Sequence, residues 1–252
     1  MYLRFVQVRV KPDRIQDVQK NYDERVIPVL RSTKGCLYAS LIQETHHPDE
    51  CISLTLWDSN RSAQEYEKSG KFQALMDEAA PNLAETSEWK IHLSEDMKVE
   101  YEPIVEPPTV TAYDLPSDQA AVPFVQGSAG GLFVRIVSPQ IRHGMEEEFK
   151  RIYHNEIMPS IKNVQGCRYV ELSENAGEEG KMISITVWDS SRDAEAYEQS
   201  GLFRELTKKV EHTFSEVYQW KMQLEKETHK RTITSGEMTV EGYRVVTGKS
   251  FL

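Results

Sequence analysis

Trp57-Asp58-Ser59-Asn60-Arg61-Ser62-Ala63-Gln64-Glu65-Tyr66-Glu67-Lys68-Ser69-Gly70-Lys71-Phe72 returns 131 residues later. The second copy reads Trp188-Asp189-Ser190-Ser191-Arg192-Asp193-Ala194-Glu195-Ala196-Tyr197-Glu198-Gln199-Ser200-Gly201-Leu202-Phe203. Extending the same shift outward lays residues 1–93 on 132–224 without a gap, with 26 of 93 positions identical. The four tryptophans become two matched pairs, Trp57/Trp188 and Trp89/Trp220, and Gly35-Cys36 matches Gly166-Cys167. An ungapped internal match of this length reads as a duplication, so the element order needs deriving only once.

Residues 2–10 alternate, with Val6, Val8 and Val10 separated by Gln7 and Arg9, as in a half-buried strand. Ile15, Val18, Tyr22, Val26 and Leu30 then form a helical stripe, matched by Met145, Phe149, Tyr153, Ile157 and Ile161. Pro28 and Pro159 should kink or end that helix, because proline lacks a backbone donor. Strands follow at 36–43 and 52–57, with copies at 167–174 and 183–188. Asp58-Ser59 and Asp189-Ser190 cap a short helix that Ser69-Gly70 and Ser200-Gly201 end. A further helix carries Phe72, Leu75, Ala79 and Leu83, or Phe203, Leu206, Val210 and Phe214. The last strand alternates as Trp89, Ile91, Leu93, or Trp220, Met222, Leu224.

The order β-α-β-β-α-β, twice, predicts an α+β fold of two tandem ferredoxin-like domains. One such domain leaves a sheet face bare, so the two copies are expected to cover each other as an intrachain pseudo-dimer, with further homodimer formation left open. The predicted divisions are a first domain at 1–93, a linker at 94–131, a second domain at 132–224 and an extension at 225–252. The linker carries one basic and seven acidic residues and five of the eleven prolines. Met97-Lys98-Val99-Glu100 is echoed by Met238-Thr239-Val240-Glu241, which predicts a short strand appended to each domain.

Composition narrows the function classes. The formal charge is −10, from 30 basic and 40 acidic residues, which argues against nucleic acid and anionic lipid as partners. No run of 18 apolar residues predicts a spanning helix. Three cysteines and no signal-like start lead us to expect reduced thiols and a cytoplasmic protein. No phosphate-cradling glycine loop and no His/Cys metal spacing is present, so neither cofactor nor metal is expected. His46-His47 face Gly177-Glu178 in the second copy and read as a surface turn.

The motif Trp-Asp-Ser-x-Arg-x-Ala-x-x-Tyr-Glu-x-Ser-Gly-x-Phe, with Tyr22-Asp23-Glu24-Arg25-Val26-Ile27-Pro28 and Gly35-Cys36-Leu37-Tyr38, resembles the antibiotic biosynthesis monooxygenase (ABM) domain. That family belongs to the dimeric α+β barrel superfamily, and the resemblance covers both repeats. Its members include cofactor-free oxygenases of aromatic polyketides and haem degraders. The haem degraders use a Trp where this chain has Tyr66 and Tyr197, a His where it has Met76 and Thr207, and an Asn absent from both first strands. These departures speak against haem chemistry, and Met76 is expected to be core.

The resemblance therefore implies a cofactor-independent monooxygenase of a small electron-rich aromatic. The alternative is a non-catalytic ligand-binding or assembly protein of the same fold. Trp57/Trp188 and Tyr66/Tyr197 are the expected pocket walls and hydrogen-bond donors. Arg61/Arg192 are expected to stabilise a phenolate, and Tyr22/Tyr153 to line the opposite wall. Each has a plainer reading: an indole anchoring the core, a packed phenol, a surface ion pair and a helix stripe. His154, which stands where the first copy has Asp23, is a candidate base and points to the C-terminal half as the active one.

Overall fold

The computed structural model describes residues 1–93, 99–105, 109–114, 132–175, 181–214 and 238–251. The alternating segments form β1 (Tyr2–Arg9), β2 (Cys36–Glu44) and β3 (Glu50–Trp57), and in the second copy β7 (Phe133–Pro139), β8 (Cys167–Asn175) and β9 (Met182–Trp188). Between β1 and β2 lie α1 (Ile15–Asn21) and α2 (Ile27–Arg31), and α3 (Asn60–Lys68) and α4 (Lys71–Ala79) follow β3. The second copy repeats them as α5 (Glu146–Ile152), α6 (Met158–Lys162), α7 (Ser191–Gln199) and α8 (Leu202–Val210). Further strands are β4 (Glu85–Leu93), β5 (Val99–Val105), β6 (Thr109–Asp114) and β10 (Met238–Ser250).

Pro28 and Pro159 neither break nor sharply end the first helix of each copy. The helix instead widens through one π-turn, Tyr22–Val26 and Tyr153–Ile157, just before the proline. The N–H of Ile27 reaches back five residues to the Tyr22 carbonyl, and Met158 does the same to Tyr153. The extra residue explains why the buried stripe departs from its expected spacing in the first copy. Val18, Tyr22 and Leu30 are buried, but the burial passes from Val26 to Ile27.

The chain divides into two compact units, and the division falls inside β1, β6 and β10. One unit holds residues 4–111 and 246–252; the other holds 1–3 and 112–245. In the first, the sheet order is β1-β3-β2, and β2 meets β3 antiparallel with Tyr38 opposite Leu56. Phe251 N–H donates to the Leu37 carbonyl, which brings the chain's last described residues against β2. The fourth strand of this copy, β4, pairs with the appended β5 as a separate two-stranded sheet, Leu93 opposite Val99. The five-residue connection makes that hairpin cheap in loop-closure entropy. In the second unit, β9 lies between β7 and β8, β7 also pairs with residues 238–244 of β10, and β8 with Tyr113 and Asp114. The expected strand at Trp220, Met222 and Leu224 lies outside the described residues.

Both short helices open as their sequences require. The Ser59 and Ser190 hydroxyls accept the N–H of Ser62 and Asp193, respectively, as N-caps. Gly35 (φ +85°) lies directly beneath that first turn: a Cβ there would stand 2.5 Å from Cβ of Ser62. Gly35→Ala is therefore expected to cost about 1–3 kcal/mol in backbone strain, before any clash is relieved. Urea denaturation measures this, and an unchanged midpoint would contradict the packing described. No helix among the described residues is long and apolar enough to cross a membrane.

Candidate functional site

Each unit has a pocket between its sheet and its helices, and the two are built largely from corresponding residues. β1 contributes Arg4 and Val6, the first helix Tyr22 and Leu30, β3 Ser53 and Thr55, and the last two helices Tyr66, Phe72 and Leu75. The second pocket has Arg135, Val137, Tyr153, Ile161, Ser184, Tyr197, Phe203 and Leu206. The walls are mostly apolar, and among the described residues no Asp, Glu, His, Lys or Cys lines either pocket.

Within those walls the buried cation is the unusual feature. Arg4 is 3% exposed. Its Nε donates to Glu67 Oε1 at 2.7 Å, on the solvent side, and its guanidinium carbon lies 4.4 Å from the centroid of the Phe72 ring. Its Nη2 is buried with no hydrogen-bond partner among the described residues. Arg135 repeats every part of this: Nε to Glu198 at 2.6 Å, 4.3 Å from the Phe203 ring, and Nη2 unpartnered. A buried charged donor left unsatisfied is costly, and in each copy the arginine that bears it lines the pocket.

The tyrosines supply neutral hydroxyls. The Tyr22 hydroxyl bonds Ser53 Oγ at 2.9 Å, and Tyr153 bonds Ser184 Oγ at 2.5 Å. The hydroxyls of Tyr66 and Tyr197 have no hydrogen-bond partner among the described residues. Burial pushes Tyr66 up to about 12, against a smaller lowering by the Arg4 charge, and Tyr197 likewise to about 12 beside Arg135. Burial raises Tyr22 and Tyr153 as well. All four are donors, not bases, at neutral pH. Because their folded pKa values lie above the unfolded value near 10, their contribution to stability is whole below about pH 10. It is lost as pH rises towards about 12. Urea midpoints that hold constant across that range would contradict this burial.

The expected site residues separate into two groups. Tyr22/Tyr153 and Tyr66/Tyr197 line the pockets. Trp57 and Trp188 do not: each is 0% exposed and sits behind its tyrosine, ring centroids 5.2 Å apart. Each indole N–H donates to the threonine two residues earlier, Thr55 and Thr186. Arg61 is on the outer face of α3, 87% exposed and paired with Glu65 one turn on, and Arg192 is likewise exposed. His154 is exposed, its Nδ1 against the Lys150 carbonyl, and does not line the pocket. At the matching place the Thr247 hydroxyl donates to the Asp23 carboxylate. Met76, expected as core, is half-buried and lines the first pocket.

Arg4 and Arg135 were missed by the sequence reading, yet carry a signal. Arg4 stands in phase with Val6, Val8 and Val10, on the apolar face of its strand, and is one of the 26 positions identical in both copies. A charge held in that phase twice calls for a buried partner.

The comparisons with known proteins follow this geometry. A family model described as antibiotic biosynthesis monooxygenase matches residues 1–78 and 132–209. A candidate monooxygenase from Fusobacterium nucleatum shares the fold at TM-score 0.66 and 11% identity, over 99% of this chain and 94% of that one. A second, from Lactobacillus acidophilus, gives TM-score 0.62 at 8% identity, over 99% and 96%. An anthrone oxidase-like protein gives 0.56 at 14%, over 99% and 93%. At such identities the likeness is one of fold. No curated protein matches the chain in sequence.

Proposed function

The chain belongs to the antibiotic biosynthesis monooxygenase family, and from that premise we propose that it oxidises a small electron-rich aromatic with dioxygen, the ring itself supplying the electrons. The observation that carries this reading is a buried arginine, Arg4 or Arg135, with an unpartnered Nη2 among the described residues, in the lining of a mostly apolar pocket. An oxygen substituent on a flat apolar ring satisfies both the donor and the walls.

Arg4 favours the ionised form of a phenolic oxygen by placing a cation beside it; an opposite charge at contact lowers such a pKa by about 1–3 units. With no carboxylate or imidazole in the lining, the proton leaves to solvent. Tyr66, still protonated, donates a second hydrogen bond to the oxyanion. Tyr22, held by Ser53, fixes the wall contributed by the first helix. The electron-rich phenolate then reacts with dioxygen. Overall, a hydroquinone and O2 give a hydroxyquinone and water. One oxygen atom enters the ring, the other becomes water, and all four electrons come from the ring.

The fold-level likeness to an anthrone oxidase-like protein is compatible with this reading. The test is oxygen uptake by the full chain, without added flavin or metal, across a panel of dihydroxy-aromatics. Uptake with one molar equivalent of oxidised ring per O2 is expected. Binding of the panel with no uptake would instead make this a ligand-binding protein of the same fold.

A further inference from the structure

The two pockets share their polar anchor but not their size. The first is the larger of the two. The difference follows from the lining. Val18, Val26, Ala79 and Leu83 in the first pocket become Phe149, Ile157, Val210 and Phe214 in the second. Phe149 and Phe214 are each 3% exposed, and their rings lie 6.2 Å apart. Four larger side chains thus fill part of the volume that the first copy leaves open.

The pockets also differ in polarity. Asn21 lines the first pocket, and its side chain makes no hydrogen bond to any described residue. Its counterpart Ile152 is buried in the apolar core of the second copy. The first pocket therefore offers a ligand the Asn21 amide beside the Arg4 guanidinium, a polar contact that has an apolar residue in its place in the second copy.

We infer that the duplication has divided ligand specificity. The first pocket takes a fused-ring aromatic bearing more than one oxygen substituent, and the second admits only a single ring. The inference rests on reading the pockets as aromatic sites, not on the oxygenase chemistry. Positions 18 and 83, with 149 and 214, set the size limit. This makes the N-terminal half the one suited to the larger substrate, the reverse of the order that His154 suggested.

Titration of the full chain with two coloured probes tests it: a dihydroxyanthraquinone, with three fused rings, and 4-nitrophenol, with one. The wild-type chain should bind the anthraquinone at one site and the nitrophenol at two. Val18→Phe/Leu83→Phe should weaken anthraquinone binding at least about tenfold while both nitrophenol sites survive, which also reports that the chain is folded. Phe149→Val/Phe214→Leu should create a second anthraquinone site, a gain that misfolding cannot imitate. Two anthraquinone sites in the wild type, no loss on filling the first pocket, or no gain on opening the second would each overturn the inference. Neither probe is an electron-rich ring ready for oxidation. If the stoichiometries hold and no aromatic consumes oxygen, the oxygenase reading alone fails.

Discussion

Arg4→Met, in an Arg135→Met background that isolates the first pocket, is expected to lower kcat/KM for oxygen uptake about 10²- to 10³-fold without lowering Tm. The loss is the one seen when a donor aimed at a developing oxyanion is removed from a water-poor site. The unchanged stability follows from different physics. Arg4 is buried, but its partner Glu67 is 42% exposed, and its Nη2 has no partner among the described residues. Methionine of similar length keeps the contact with Phe72, removes the desolvated charge and leaves Glu67 free to hydrate, a type of exchange that is neutral or stabilising in other buried ion pairs. Arg4→Lys should recover part of the activity. A folded Arg4→Met chain with wild-type turnover would remove the guanidinium from the mechanism.

Trp188→Ala is expected to destabilise its unit by about 3–5 kcal/mol, the range for truncating a fully buried aromatic. The indole is wholly enclosed, stacked on Tyr197 and bonded to Thr186. The change leaves a cavity, removes the hydrogen bond that the Thr186 hydroxyl accepts and takes away the support of a pocket tyrosine. Because Trp188 does not line the pocket, Trp188→Phe should restore most of the stability and bind single-ring ligands normally. Chemical denaturation followed by far-UV circular dichroism measures the loss. A cost under about 1 kcal/mol would mean that the indole is not the anchor its burial indicates.

These outcomes bear on how far the sequence is legible. The duplication, the element order, the Ser59 and Ser190 caps and the inward tyrosines all follow from local periodicity and spacing. Arg61 could have been set aside by the same means. Five residues separate it from Tyr66, about 140° around a helix, so an inward tyrosine turns the arginine outward. Likewise His154 is one residue from the buried Tyr153 and faces water. The π-turn was not legible, because it changes the count of residues per turn on which a periodicity argument depends. Pocket size was not legible either. Val18 and Leu83 meet across a fold, 65 positions apart, and only their joint replacement by Phe149 and Phe214 has a volume consequence. Nor could strand alternation tell that β4 would take β5 as its partner.

The widened turn at Tyr22 and Tyr153 also supplies a chronology. A π-turn is one residue more than an α-helix needs, and both copies carry it at the same register, with the same proline two residues beyond its last residue. A single ancestral insertion accounts for both, so that event is older than the duplication, as are the buried arginine and the tyrosines it faces. The pairs that set the two pockets apart, Val18 and Phe149, Leu83 and Phe214, Asn21 and Ile152, diverged after the duplication. The molecule thus records an ancestor that already possessed its anchor, and descendants that diverged afterwards in the room they left around it.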